Sequence, residues 1–373
     1  MTLSVAIRHR LGALTLDAAF EAPPGITVLF GRSGSGKTSI VHAVAGLLSP
    51  DDGRIAVDGR VLFDAKRGPM LPPARRRIGY IFQDARLFPH MTVRANLLYG
   101  ARFAPPGDGP DLDTVVEILG ISALLRRRPG ALSGGERARV AIGRALLSRP
   151  RLILADEPLA SLDEARKAEI LPFFERLRDE VAIPILYVSH AATEVARLAT
   201  TVIALEAGRV LRQGPAAEVL ADPQVTPLGA REAGAVITAR IARHHDDGLT
   251  ELEAGGVSLL LPRVARPAGT RLRVRIPAND VILARTRPTG LSALNVLPAR
   301  VEAVRRGTGP GALVSLSTGA GRILARVTLR SVAALEIEPG AEAFAVVKSI
   351  AVAPGDVGTG AAEETPAGHA PTK

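Results

Sequence analysis

The chain has no cysteine and no tryptophan, and only 3 tyrosines and 9 phenylalanines among its 373 residues. The missing thiols exclude disulfides and thiolate metal sites. With aromatics at 3%, the core must be built from Ala, Val, Leu and Ile, and any reading that needs bases stacked on aromatic faces loses ground. No apolar run approaches the ~20 residues that cross a bilayer. Arg8, His9 and Arg10 stand where a secretory leader would need an apolar stretch. The expectation is a soluble, cytosolic chain that reaches a membrane only by docking on other subunits.

Hydrophobic residues make up 47% of the chain and the formal net charge is +10. That excess of arginine suits an anionic partner in principle. The basic residues are scattered, however, with short runs only at Arg75-Arg76-Arg77 and Arg126-Arg127-Arg128. High-GC coding explains arginine in an alanine- and glycine-rich chain more simply than a dedicated nucleic-acid surface does. The length suits one domain of roughly 200 residues or more and a smaller second one.

The sequence Gly31-Arg32-Ser33-Gly34-Ser35-Gly36-Lys37-Thr38 directly follows the apolar run Ile26 to Phe30. This strand, glycine loop and Gly-Lys-Thr have the spacing of a phosphate loop. Backbone N–H groups of the loop can curl round phosphates, Lys37 can reach the outer phosphates, and the Thr38 hydroxyl can sit on Mg²⁺. A helix from about Lys37 to Leu48 points its positive end at the same anion. ATP and Mg²⁺ are the expected cofactors.

A parallel α/β pattern is expected over residues 1–230, with a helical insertion at about 84–150. In open parallel sheets, ligands sit at the carboxyl ends of the strands. The run Ile78 to Phe82 ends in Gln83, Leu152 to Ala155 ends in Asp156-Glu157, and Ile185 to Ser189 ends in His190. With the glycine loop, four strand ends therefore bring polar groups to one edge. After about residue 230 the pattern changes to short alternating stretches punctuated by Gly and Pro, which read as a small all-β barrel region. A weak echo links Gly269 to Ile276 with Gly340 to Val347, suggesting two tandem halves at 231–290 and 291–352. The Gly, Ala, Thr and Pro composition of 353–373 reads as a disordered tail.

Leu132-Ser133-Gly134-Gly135-Glu136 precedes a helical pattern and supplies a second anion site, with a serine hydroxyl, glycine N–H groups and a helix N-terminus. Lying between a phosphate loop and an Asp-Glu strand end, it resembles the signature motif of ATP-binding-cassette ATPases. The resemblance implies a P-loop cassette fold in which two copies sandwich ATP head to tail, so that Ser133, Gly134 and Gly135 face the partner's phosphate loop. It further implies that Asp156 and Gln83 join Thr38 around the metal, that Glu157 polarises the attacking water, and that His190 contacts the γ-phosphate. The segment Ser161-Leu162-Asp163 resembles the loop that couples the two sites. The sequence departs from the cassette pattern where many members stack adenine on an aromatic: Arg8 to Gly12 has none, which leaves His9 or Arg10 for that role. It departs again at Ala138, where related importers often carry glutamine.

Gly79 to His90 and Glu157 to Asp163 resemble the ATPase subunits of bacterial molybdate importers, with Asp84-Ala85-Arg86 as the distinctive part. Leu291 to Leu297 and Val347-Lys348-Ser349 resemble the small OB-like, molybdate-binding barrel fused to such ATPases. There Ser292, Asn295, Lys348 and Ser349 are candidate oxyanion donors, although Leu294 stands where an arginine is frequent. Regulatory oxyanion binding and pure dimer scaffolding both remain open for this region. The resemblance implies a peripheral ATPase on the cytoplasmic face of the inner membrane. Its partners would be a second copy, two membrane-spanning permease subunits and, indirectly, a periplasmic molybdate-binding protein. Tungstate, sulfate or ferric ion are alternative substrates; a non-transport cassette or an oxyanion sensor is a weaker alternative.

Overall fold

The computed structural model describes residues 2–68, 70–104, 109–160, 162–181, 183–222, 225, 233–307, 309–352 and 354–359. Ser161 of the expected coupling loop and 360–373 of the expected tail lie outside the described residues.

The cassette begins with a hairpin, β1 (Leu3–Leu11) and β2 (Leu14–Ala22), followed by β3 (Ile26–Gly31), α1 (Lys37–Ala45), β4 (Asp52–Val57), β5 (Arg60–Asp64) and β6 (Ile78–Ile81). Helices α2 (Val93–Ala101), α3 (Leu112–Leu119) and α4 (Gly134–Leu147) follow within the expected insertion. The core resumes with β7 (Leu152–Asp156), α5 (Glu164–Glu180), β8 (Ile185–Ser189), α6 (Ala192–Leu198), β9 (Thr201–Glu206), β10 (Arg209–Pro215) and α7 (Ala216–Leu220). One ten-stranded sheet runs in the order β5-β4-β1-β2-β10-β9-β3-β8-β7-β6.

The continuous parallel block is β9, β3, β8, β7 and β6, and β2 also meets β10 in parallel at one point. The expectation of parallel strands throughout 1–230 is corrected here, because β1, β2, β4 and β5 pair antiparallel. The reason is local: β1 alternates buried and exposed residues and turns back within two residues at Gly12, whose φ is +61°. That is a half-solvated hairpin rather than a crossover unit. The parallel strands are instead buried on both faces. Leu152 and Leu154 pack on the α1 side, while Ile153 and Ala155 pack on the side of α4, α5 and α6.

The C-terminal region holds β11 (Gly234–His244), β12 (Leu249–Ala254), β13 (Val257–Pro262), β14 (Arg271–Pro277), β15 (Val281–Ala284), β16 (Asn295–Arg306), β17 (Gly311–Thr318), β18 (Gly321–Thr328), α8 (Leu329–Ala334), β19 (Glu342–Val347) and β20 (Val357–Thr359). Its two sheets have one plan. A three-strand meander (β11-β12-β13 or β16-β17-β18) is extended by a fourth strand on its first member (β14 or β19). The fifth strands are exchanged: β15 leaves the first half to pair with β19, and β20 leaves the second half to pair with β14.

The echo between Gly269 and Gly340 is therefore structural, both residues having positive φ just before β14 and β19. One apolar core runs from Ile237 to Val352 through both halves. Residues 354–359, expected to be disordered, carry a 3₁₀ turn and β20. Backbone pairing along the edge of β14 orders a segment whose composition alone does not.

Candidate nucleotide site

Strand β3 delivers the chain into the phosphate loop and α1 leaves it. Gly36 sits at the helix N-cap with φ +100° and no side-chain cap, so the first-turn N–H groups of α1 face the loop without a capping oxygen from the protein. Arg32, Ser33 and Gly34 are exposed at the tip, where Ser35 N–H closes the turn on the Arg32 carbonyl at 3.2 Å. The Lys37 ammonium, 4% exposed, donates to the carbonyls of Gly31 and Arg32 at 2.8 Å each. Burial holds its pKa below the usual lysine value, against the pull of Glu157 and Asp156. The Ser35 hydroxyl is buried without a hydrogen-bond partner among the described residues. A buried orphan hydroxyl, an uncapped helix end and a desolvated cation together suit a polyanion.

The parallel block places the other strand ends beside this loop. Thr38 Oγ1 donates to Asp156 Oδ1 at 3.2 Å, and the Tyr80 hydroxyl donates to Asp156 Oδ2 at the same distance. Burial, followed by the nearby Asp156 charge, pushes the Tyr80 phenol above its ordinary pKa, so it remains a donor. Hydroxyl and carboxylate oxygens of Thr38 and Asp156, with the exposed amide of Gln83 on the neighbouring strand end, form a hard-donor set that fits Mg²⁺.

Glu157 has φ +45°, a left-handed conformation that costs free energy in a non-glycine residue. Its N–H donates to the Val188 carbonyl at 3.2 Å, which fixes the turn against β8. The result brings Glu157 Oε1 within 3.4 Å of His190 Nδ1. A partly buried carboxylate beside an exposed imidazole, next to the hard-donor pair, is competent to orient and polarise a water.

Ser133 caps α4 through a capping box. Its Oγ accepts the Glu136 N–H at 3.2 Å, and its own N–H donates to Glu136 Oε2 at 2.7 Å. That backbone hydrogen bond chiefly lowers the Glu136 pKa. A Cβ on Gly134 would lie 2.9 Å from Leu162 Cδ2, so the signature glycine also permits close approach of the segment leading into α5. Gly135 is buried behind it. Asp163 spends its carboxylate as the N-cap of α5, accepting from Arg166 N–H at 2.9 Å.

Three positioning residues escape the motif reading. Tyr80 holds Asp156 as described and stacks on Phe82 with centroids 4.0 Å apart. Arg144 of α4 donates to the carbonyls of Ala85 and Arg86 at 3.1 and 2.9 Å, fixing the loop after Gln83. Asn96, fully buried, accepts from Phe88 N–H at 2.8 Å and donates back to its carbonyl at 3.1 Å. Only the alternation of β6 and the single Asn of α2 hint at these roles, because the partners of Tyr80 and Arg144 lie far along the chain and that of Asn96 is a loop backbone group.

The candidate oxyanion donors converge less. Asn295 is 2% exposed and bonds Leu260 of β13 at both ends, accepting its N–H at 2.7 Å and donating to its carbonyl at 3.0 Å. Its amide nitrogen also approaches Ser349 Oγ at 3.5 Å. Ser292 and Lys348 are exposed. Within one chain, Asn295 links β16 to β13.

The family model described as ABC transporter matches residues 17–160, and the TOBE domain model matches 291–354. A molybdenum import ATP-binding protein, ModC, of Mesorhizobium japonicum is 50% identical over 96% of this chain and 98% of its own length. The like-named protein of Rhizobium meliloti is 52% identical over 94% and 99%. Among solved structures, a nucleotide-free ATP-binding cassette from an ABC transporter is 26% identical over 60% of this chain and 96% of its own, with a TM-score of 0.51. CbiO1 of Clostridium perfringens, part of the CbiONQ transporter complex, is 27% identical over 60% and 92%, also with a TM-score of 0.51.

Proposed function

This chain belongs to the molybdenum import ATP-binding proteins of the ABC transporters, and from that premise we propose how its residues energise molybdate import. It is the ATP-hydrolysing subunit of the importer. The observation that carries the site assignment is the junction of Thr38 with Asp156 and of Glu157 with His190 on adjacent parallel strand ends.

Mg²⁺ bound with the nucleotide supplies charge neutralisation across the outer phosphates. Thr38, Asp156 and Gln83 would hold it. Lys37 gives up its carbonyl partners to pair with phosphate oxygens, and the α1 N–H groups complete the cradle. Glu157 accepts the proton of the attacking water, while His190 orients the Glu157 carboxylate and meets the γ-phosphate. Ser133, Gly134 and Gly135 complete the site of a second copy, so hydrolysis belongs to the head-to-tail homodimer. Asp163 lies beside that seam.

Cassettes of this family work as dimers with membrane permeases, and among the described residues no helix is long and apolar enough to cross a membrane. The finer assembly is two copies under two permease subunits, at the cytoplasmic face of the inner membrane, fed by a periplasmic molybdate-binding protein. Nucleic acid has no part in it. The bonds of Asn295 to Leu260 favour a scaffolding role for the C-terminal region within one chain.

The test is ATPase activity of the reconstituted transporter with its binding protein loaded in turn with molybdate, tungstate and sulfate. Stimulation by molybdate is expected. Stimulation by sulfate alone overturns the substrate and leaves the ATPase.

A further inference from the structure

Beside the strand that ends in His190 lies a buried carboxylate that the hydrolytic scheme does not use. Glu194 of α6 is 4% exposed. Its Oε2 accepts the hydroxyl of Tyr187 at 3.0 Å and that of Ser189 at 2.8 Å. Its Oε1 lies 3.5 Å from Lys167 Nζ on α5. Ser189 Oγ in turn accepts the N–H of Ala191 at 3.0 Å. The residues on both sides of His190 are thus tied, directly or through one hydroxyl, to a single carboxylate. Tyr187 is held edge-on against Phe174, with centroids 5.3 Å apart at 89°, so the anchor is rigid.

The connection to α5 adds a second link. Burial opposes the Lys167 charge, but Glu164 and Glu194 outweigh it and raise its pKa. Lys167 N–H bonds the carbonyl of Asp163, the N-cap of the same helix. Glu194 therefore joins the segment that lies beside the dimer seam to the loop that carries the histidine. A buried carboxylate needs such partners to be tolerated. Stability alone does not require two of them to flank a catalytic side chain.

We propose that Glu194 is a positioning residue for hydrolysis: by gripping Ser189, and through Ser189 the N–H of Ala191, it holds His190 against Glu157, and through Lys167 it couples that placement to α5. The inference rests on the hydrolytic roles of Glu157 and His190 given above. The test measures steady-state ATP hydrolysis by the assembled transporter for S189A, E194A and E194Q, each alone and combined with H190A.

S189A and E194A are expected to lower kcat about tenfold with KM for ATP within about twofold, the signature of an interaction that matters after binding. E194Q keeps an acceptor oxygen for both hydroxyls and is expected to recover most of the loss. In the H190A background none of the three is expected to slow turnover further, because a residue acting only through His190 has nothing left to position. The same proportional loss with and without His190, or normal kcat in both S189A and E194A, overturns the proposal. If E194A does not fold, S189A and E194Q carry the test. Absence of ATPase activity in the unmutated transporter points instead to failure of the functional reading.

Discussion

At the scale of single residues, Glu157 is the most constrained side chain of the site. Its left-handed backbone is compensated by a bond to β8, and its carboxylate meets His190. Glu157→Gln keeps the shape and the contact but removes the base. ATP binding is expected to persist while turnover falls about 10²-fold or more, and comparing nucleotide binding with single-turnover hydrolysis checks it. Near-normal turnover sinks the assignment. Such residues were legible because phosphate chemistry fixes their order and spacing: Gly31 to Thr38, Asp156-Glu157 and Ser133 to Glu136 carry their roles in local sequence. Tyr80 and Arg144 were not, since each acts on a group far along the chain; Asn96 was not, because its partner is the backbone of Phe88 in the irregular segment eight residues before it.

At the scale of elements, caps and alternation explain what could be read. The helix expected from about Lys37 to Leu48 ends at Ala45 because Gly46 takes φ +81° and turns the last carbonyls back onto the chain. Helix α3 starts where Asp111 caps it and ends at Gly120. The antiparallel character of β1 and β2 was already written in Leu3-Ser4-Val5-Ala6-Ile7, whose buried and exposed residues alternate, unlike those of a doubly buried strand.

The turn between β14 and β15 yields a pH prediction. Asp280 lies near the buried Arg275–Asp356 pair; burial first, then the Asp356 charge, raises its pKa, with Arg275 opposing. Its folded-state pKa thus exceeds the unfolded one, and the ionised form costs stability as pH rises through that folded value. Asp280→Asn is expected to raise Tm by about 1 to 3 °C at neutral pH. The gain should vanish below about pH 3, where the carboxyl is protonated in both states. A gain that instead grows in acid contradicts the sign.

At the scale of the whole molecule, the exchanged strands decide how the C-terminal region is built and how it meets the cassette. A short Val-Gly-Thr strand has too few apolar positions to announce itself, and its partner is about 85 residues away, so loop closure rather than local propensity governs it. Once docked it does more than close a sheet. Arg178 of α5 donates to the carbonyl and hydroxyl of Thr359 at 3.1 Å each, and Gly358 abuts the buried Glu175–Arg197 pair that ties α5 to α6.

Those are the helices whose N-terminal ends carry Asp163 and follow His190. Ending the chain at Val352 rather than at Thr359 therefore removes the outer partner of β14, the Asp356 half of a buried ion pair and the Arg178 bonds together. Loss of one member of a buried pair alone costs about 3 to 5 kcal/mol, so the shorter chain is expected to lose several degrees in Tm. Hydrogen exchange should speed up first along β14, between Leu272 and Val274, and then at the C-terminal end of α5. Equal protection in the two chains shows that β20 is a passenger on the sheet rather than its clasp.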